Sequence, residues 1–191
     1  MKSRLVSSRH SGFSLVELLV VIMIIAILMG LTVVGTQYAM SKGSENKTRM
    51  QMKTLEGGLE KYYNDQLAYP NPSSSGSKVL YIALTGDGIS FDSAGKPRFT
   101  GMPNGSIDDT ERRWPVYLEE LLSPGGSKTL QGWVNTKNYG DPIIDAFGEP
   151  FQYVCRGNPP VGIKNTSYDL WSYATDSTKN AQQEAKWVKN W

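Results

Sequence analysis

The chain has 191 residues and is close to charge balance, with 20 Lys and Arg against 18 Asp and Glu. Its single cysteine, Cys155, excludes an intrachain disulfide, and its single histidine, His10, lies in a basic segment at the N-terminus. Without that segment the chain could carry neither a Ser-His-Asp triad nor a histidine-ligated metal, which excludes most familiar hydrolase chemistries.

The N-terminus combines this basic segment with a long apolar run. Residues 1–12 hold three Lys and Arg residues and no acid, whereas residues 13–34 are mostly Leu, Ile, Val and Met, with Glu17 as their only ionisable side chain. A helix that crosses a bilayer takes roughly 20 apolar residues, and basic residues ahead of it favour a cytoplasmic N-terminus. The pattern therefore predicts a basic leader, residues 1–12, and a transmembrane or filament-core helix, residues 13–35.

A small residue stands before this apolar run, not after it as in an ordinary secretory signal peptide. Residues 12–18, Gly-Phe-Ser-Leu-Val-Glu-Leu, resemble the class III signal of type IV prepilins and pseudopilins. The resemblance implies that prepilin peptidase cuts between Gly12 and Phe13 and methylates the new amino group of Phe13. Removing the leader's three basic residues would leave 17 Lys and Arg against 18 Asp and Glu, so we expect no nucleic-acid binding. The alternative is an uncleaved signal anchor.

Glu17 is costly where it stands, because a carboxylate within an apolar membrane helix costs roughly 2.5–3.5 kcal/mol on insertion scales and usually has a partner. The partner could be the new α-amino group of Phe13 in the same chain or in a neighbouring subunit. The resemblance implies the neighbour, since pilin-like proteins use this contact to set subunit register. A third interpretation is a Glu17 side chain that reaches the membrane interface.

The helix is predicted to continue beyond the apolar run. Residues 36–69 are more polar, and apolar residues return at spacings of three and four at Met52, Leu55, Leu59 and Tyr62, which is typical of an amphipathic helix. Pro70 would end it. The alternative is a pair of helices broken near Gly43 and Ser44.

Two later stretches resemble major pseudopilins of type II secretion systems. Residues 59–70 resemble the end of their long helix, with its Tyr-rich turn and Tyr-Pro. Residues 141–153 resemble their Asp-x-Trp-Gly-x-Pro-x-x-Tyr segment, with Phe147 in place of the usual Trp.

The remaining head, residues 70–191, carries short apolar patterns. Residues 79–84 suit either a second helix or a strand. Residues 151–156 alternate in character, and with residues 167–173 they predict two antiparallel strands that cover the helix stripe. We therefore expect an α+β fold, a long N-terminal helix packed on a small C-terminal antiparallel sheet, with the lollipop shape of pilins.

The segment between Gly86 and Gly140 resembles an insertion relative to compact major pseudopilins. Residues 114–122 read as a short helix with Pro115 at its first turn. The acidic group at residues 108–111 could be a cation site, although the two arginines that follow favour a solvated loop.

The loop after the second predicted strand is where major pseudopilins bind calcium. Asp176 matches their first ligand, but Ser-Thr-Lys-Asn follows it in place of a Gly-rich turn, and Lys residues stand where later acids are expected. Calcium prefers six to eight oxygen ligands, several of them anionic, and Glu184 is the only nearby helper. Calcium at Asp176 is thus one interpretation and a polar closing loop the other. Trp187, Val188 and Trp191 are expected to pack on the head.

The resemblance implies a non-enzymatic, structural subunit of a type II secretion pseudopilus. Its implied partners are prepilin peptidase, other copies of itself, minor pseudopilins, the inner-membrane assembly platform and membrane lipids. Its implied location is the bacterial inner membrane, with the head in the periplasm. The alternatives are a type IV pilus or competence pilin and, from another class, a membrane-anchored binding protein or enzyme.

Overall fold

The computed structural model describes residues 14–71, 76–103, 107–122, 134, 143–155 and 163–191. By its internal contacts the chain divides into two units, Met1–Lys42 and Gly43–Trp191.

A single helix, α1, runs from Leu15 to Gln66. The alternative of two helices broken near Gly43 and Ser44 is therefore wrong. The helix ends where Leu67 takes a left-handed conformation (φ 54°) and its N–H donates to the carbonyl of Tyr63 at 2.8 Å. This contact occupies one of the carbonyls that a helix end otherwise leaves without a partner.

The prediction that residues 13–35 span a membrane is not supported. Within the described parts of the chain, no helix combines the length and the apolarity needed to cross a membrane.

The predicted stripe on the second half of α1 lies in the hydrophobic core. Met52, Leu55, Leu59 and Tyr62 are at most 5% exposed. Because all four lie on one face at helical spacing, they anchor this half of α1 to the other elements of its unit.

The apolar run that suited either a helix or a strand forms a helix, α2, at Ser77–Thr85. It is almost wholly buried. Gly86 ends it in the left-handed conformation (φ 84°), and the Gly86 N–H donates to the Ile82 carbonyl at 2.8 Å. A glycine adopts this conformation without steric cost.

The short helix predicted at residues 114–122 is wrong. Two 3-10 turns form instead, at Glu111–Arg113 and Glu119–Leu121. Trp114 is extended, as expected of a residue before proline. Tertiary hydrogen bonds also compete with a local helix here, because the amides of Tyr117 and Leu118 both donate to the carbonyl of Leu84, at 2.8 and 3.1 Å.

The described residues also form five short strands. β1 (Ser90–Phe91) and β2 (Pro97–Arg98) form a small antiparallel pair. β3 (Gln152–Cys155), β4 (Tyr168–Ser172) and β5 (Val188–Lys189) form an antiparallel sheet in that order.

The β3–β4 hairpin confirms the predicted pair of strands, with Tyr153 opposite Leu170. The sequence did not predict β5, which places Val188 opposite Ser172. The fold is thus α+β, as predicted.

Candidate functional site

The start of α1 is closed by a reciprocal pair of hydrogen bonds between Ser14 and Glu17. The Ser14 N–H donates to Glu17 Oε2 at 2.8 Å, and the Glu17 N–H donates to Ser14 Oγ at 3.2 Å. This arrangement is a capping box, which occupies two backbone donors that a helix start otherwise leaves free. Gly12 and Phe13, the predicted cleavage and methylation residues, lie outside the described part of the chain.

Sequence reasoning missed the role of Ser14. Its signal was nonetheless present, since Ser-x-x-Glu ahead of an apolar run is the sequence pattern of a capping box.

The first half of α1 presents apolar side chains on every side. Each large apolar side chain from Leu15 to Met29 is at least 45% exposed. A helix that is apolar all round is stable only when a larger assembly or a lipid phase covers it. Glu17 is the only carboxylate on this surface.

In the second unit, Asp176 is saturated with hydrogen bonds. Its Oδ1 accepts the backbone N–H and the hydroxyl of Thr178, and its Oδ2 accepts the Asn180 N–H at 3.1 Å and the indole N–H of Trp187 at 2.9 Å. These contacts, those with the Thr178 hydroxyl and the Trp187 indole first, lower the pKa of Asp176 to about 2.

Glu184 is held in a similar way by cations. Its carboxylate accepts from Lys164 Nζ at 2.8 Å, from Lys189 Nζ at 2.6 Å and from the indole N–H of Trp191 at 2.8 Å. Hydrogen bonds from Lys164, Lys189 and Trp191, in that order, lower the pKa of Glu184 to about 2.

The acidic group at residues 108–111 is structural. Glu111 is buried, and its two carboxylate oxygens accept the N–H groups of Gly88 at 2.7 Å and Asp108 at 2.8 Å. The solvated-loop interpretation suits Asp109, whose side chain is 98% exposed, but it is wrong for Glu111.

Asp145 is a second buried acid that sequence reasoning did not single out. Its Oδ1 accepts the N–H groups of Phe147 and Glu149, each at 2.8 Å, and its Oδ2 accepts the hydroxyl of Ser172. Burial raises the pKa of Asp145, because a low-dielectric surrounding disfavours the charged form. Asp145 therefore fastens the turn before β3 to strand β4.

Two comparisons with known proteins found a match to the sequence of this chain. Residues 7–33 match the family described as the prokaryotic N-terminal methylation motif. The chain is also similar to the type II secretion system core protein G of Pseudomonas aeruginosa, with 22% identity over 185 residues that cover 96% of each chain. Both matches support a type IV pilin-like pseudopilin. No solved structure matches it significantly.

The residues of this loop do not suit calcium at Asp176. Both acids of the loop, Asp176 and Glu184, already accept hydrogen bonds at each carboxylate oxygen, and Lys164 and Lys189 place positive charge beside Glu184. Among the described residues, no three acidic, histidine or cysteine side chains lie close enough together to hold a metal ion. Calcium needs several anionic oxygens that are free to bind it.

Proposed function

We propose that this protein is a pseudopilin, a structural, non-catalytic subunit of a type II secretion pseudopilus. It is cut after Gly12, methylated on the amino group of Phe13 and polymerised through α1 to drive protein export. The observation that carries the proposal is the apolar surface of α1 from Leu15 to Met29, whose large side chains are at least 45% exposed and which carries one carboxylate, Glu17. The methylation motif at residues 7–33 and the similarity to core protein G support it.

Glu17 changes partner during assembly in this proposal. In the single chain its carboxylate accepts the Ser14 N–H. In the polymer it binds the methylated ammonium of Phe13 in a neighbouring copy. The bond from the Ser14 N–H to the Glu17 carboxylate is already charge-assisted, so the gain comes from the full positive charge of the ammonium, whose attraction to the carboxylate apolar surroundings strengthen. The gain fixes the register of one subunit against the next.

The same proposal assigns the partners and the location. Prepilin peptidase removes residues 1–12, and minor pseudopilins and an inner-membrane platform assemble with the polymer. The subunit is anchored at the inner membrane through α1, because lipid can cover its apolar surface until other subunits do.

Mass spectrometry of the protein isolated from cells tests the processing step. The mature chain is expected to begin at Phe13 and to carry one methyl group on its amino nitrogen. A cellular product that still begins at Met1 would overturn the proposal.

A pair of variants tests assembly. Glu17→Ala is expected to abolish filaments sheared from cells while cellular protein levels are retained, because the ammonium of the neighbour loses its acid. Glu120→Ala, which removes an exposed carboxylate of the second unit, is the matched control and is expected to leave filaments intact. Normal filaments from the Glu17→Ala variant would contradict the role of Glu17.

A further inference from the structure

The C-terminal segment, residues 181–191, has little backbone pairing to hold it. Strand β5 pairs with β4 through two residue pairs, Trp171 with Lys189 and Ser172 with Val188, and the Asn190 N–H adds one backbone bond to the Leu170 carbonyl at 3.2 Å. So short a strand adds little stability by itself. Side-chain contacts must therefore supply most of what holds this segment on the sheet.

Glu184 is the centre of one cluster of those contacts. Lys164, which precedes β4, reaches it with two oxygen contacts of 2.8 Å, and Lys189 reaches it from β5 at 2.6 Å. The side chains of Glu184 and Lys189 are only 23% and 27% exposed, so solvent screens this pair less than a fully exposed one.

Trp191 joins the same cluster in two ways. Its indole N–H donates to Glu184 at 2.8 Å. Its ring also lies against both ammonium groups, with Lys164 Nζ at 5.4 Å and Lys189 Nζ at 5.3 Å from a ring centroid. Both distances are within the reach of a cation–π contact.

We propose that the ammonium groups of Lys164 and Lys189 close the C-terminal segment by binding Glu184, so that the head folds without a divalent cation. The proposal is independent of the proposed assembly function. It follows from the groups that donate to the two acids of the loop. The chain itself supplies positive charge beside Glu184, and Asp176 already accepts hydrogen bonds from Thr178, Asn180 and Trp187.

Thermal unfolding of the full-length protein in detergent tests this inference. Midpoints are measured with calcium chloride and with a calcium chelator for the wild type and for Lys189→Met, with Lys186→Met as the matched control, since Lys186 is an exposed lysine of the same segment. Methionine keeps most of the side-chain length and removes the charge.

The wild type is expected to unfold at the same temperature in both buffers. Lys189→Met is expected to unfold about 2–4 °C lower in both, and Lys186→Met to match the wild type. A midpoint that rises with calcium in the wild type would overturn the proposal. So would Lys189→Met and Lys186→Met unfolding at the same temperature.

A variant that still folds but has lost the cluster gives a second readout. Lys164→Met is expected to raise the solvent access of Trp191, measured by quenching of indole fluorescence, without any dependence on calcium. Restoration of the wild-type quenching by calcium would contradict the inference, because it would show that a divalent cation can take the place of the ammonium.

Discussion

Ser14 and Glu17 each accept the backbone N–H of the other, at 2.8 Å to the Glu17 carboxylate and 3.2 Å to the Ser14 hydroxyl. The carboxylate proposed to bind a neighbouring subunit therefore already has a partner in its own chain. A neighbouring subunit must compete with that contact. The free energy gained on assembly is therefore the difference between the new contact of Glu17 and its bond to Ser14.

Removing the hydroxyl should loosen the start of α1. Ser14→Ala deletes the acceptor of the Glu17 N–H, and loss of such a cap costs about 1 kcal/mol. We expect faster hydrogen exchange at the amides of the first helical turn, measured on the protein in detergent. Ser14→Thr retains the hydroxyl and is expected to exchange as the wild type does. Equal exchange in the alanine and wild-type proteins would show that the box does not form in solution.

Leu67 offers a stabilising substitution at the end of α1. It is 78% exposed and has φ 54°, a conformation that costs a residue with a Cβ roughly 1–2 kcal/mol. Leu67→Gly removes that cost and forfeits little burial, although the greater freedom of glycine in the unfolded chain offsets part of the gain.

We expect Leu67→Gly to raise the free energy of unfolding by about 0.5–1 kcal/mol, measured by chemical denaturation. Leu67→Val, with a branched Cβ at the same φ, is expected to lower it. A glycine variant less stable than the valine variant would contradict this account of the helix end.

The stability of the protein should depend on the hydrogen-bonding groups of Asp145 more than on its negative charge. Asp145→Ala leaves the amides of Phe147 and Glu149 without their acceptor, and a buried donor without a partner costs about 1–3 kcal/mol. Asp145→Asn keeps one oxygen for those amides, and its NH₂ can donate to the Ser172 hydroxyl.

We expect the alanine variant to lose clearly more stability than the asparagine variant, measured by denaturant unfolding. Asp109→Ala, at a side chain that is 98% exposed, is the control and should be neutral. An asparagine variant as unstable as the alanine variant would show that the negative charge itself is required.

Acid should destabilise the head through Glu184 and Asp176. Their folded-state pKa values, about 2 each, lie below the unfolded values of 4.5 and 3.8. The folded state therefore binds fewer protons, and the stabilisation is complete above the unfolded pKa and is lost as pH falls toward 2.

We expect the thermal unfolding midpoint to decrease as the pH is lowered from 5 to 2. The dependence of the midpoint on pH is expected to be weaker in Glu184→Gln. Thermal scans across that range measure it. Glu120→Gln, at an exposed acid outside the cluster, should keep the wild-type slope. The same dependence of the midpoint on pH in the wild type and in Glu184→Gln would show that Glu184 does not contribute to the loss of stability in acid.

Sequence patterns predicted the elements whose apolar residues follow one period. The stripe from Met52 to Tyr62 and the strands β3 and β4 formed as expected, because one buried face determined each of them. The sequence could not decide between a helix and a strand for residues 79–84, because full burial removes the periodic signal. Gly86 could have favoured the helix, since a glycine often follows a helix end.

The failures share a physical cause, which is contact with distant residues. The segment at Trp114 bonds to the end of α2, and β5 exists because β4 offers it an edge. Neither partner can be identified from local sequence. The same holds for the site, where the Ser-x-x-Glu box is local and readable, whereas the pairing of Lys164 with Glu184 joins residues 20 apart.

The bonds to the end of α2 change how the long segment before residue 140 should be regarded. The Trp114 indole donates to the Ala83 carbonyl at 2.9 Å, and the amides of Tyr117 and Leu118 donate to Leu84. A shortened protein that lacks these donors would leave the carbonyls of Ala83 and Leu84 without these partners in the core. Loop grafts or trimmed variants made for crystallisation should therefore spare residues 111–118 and cut elsewhere.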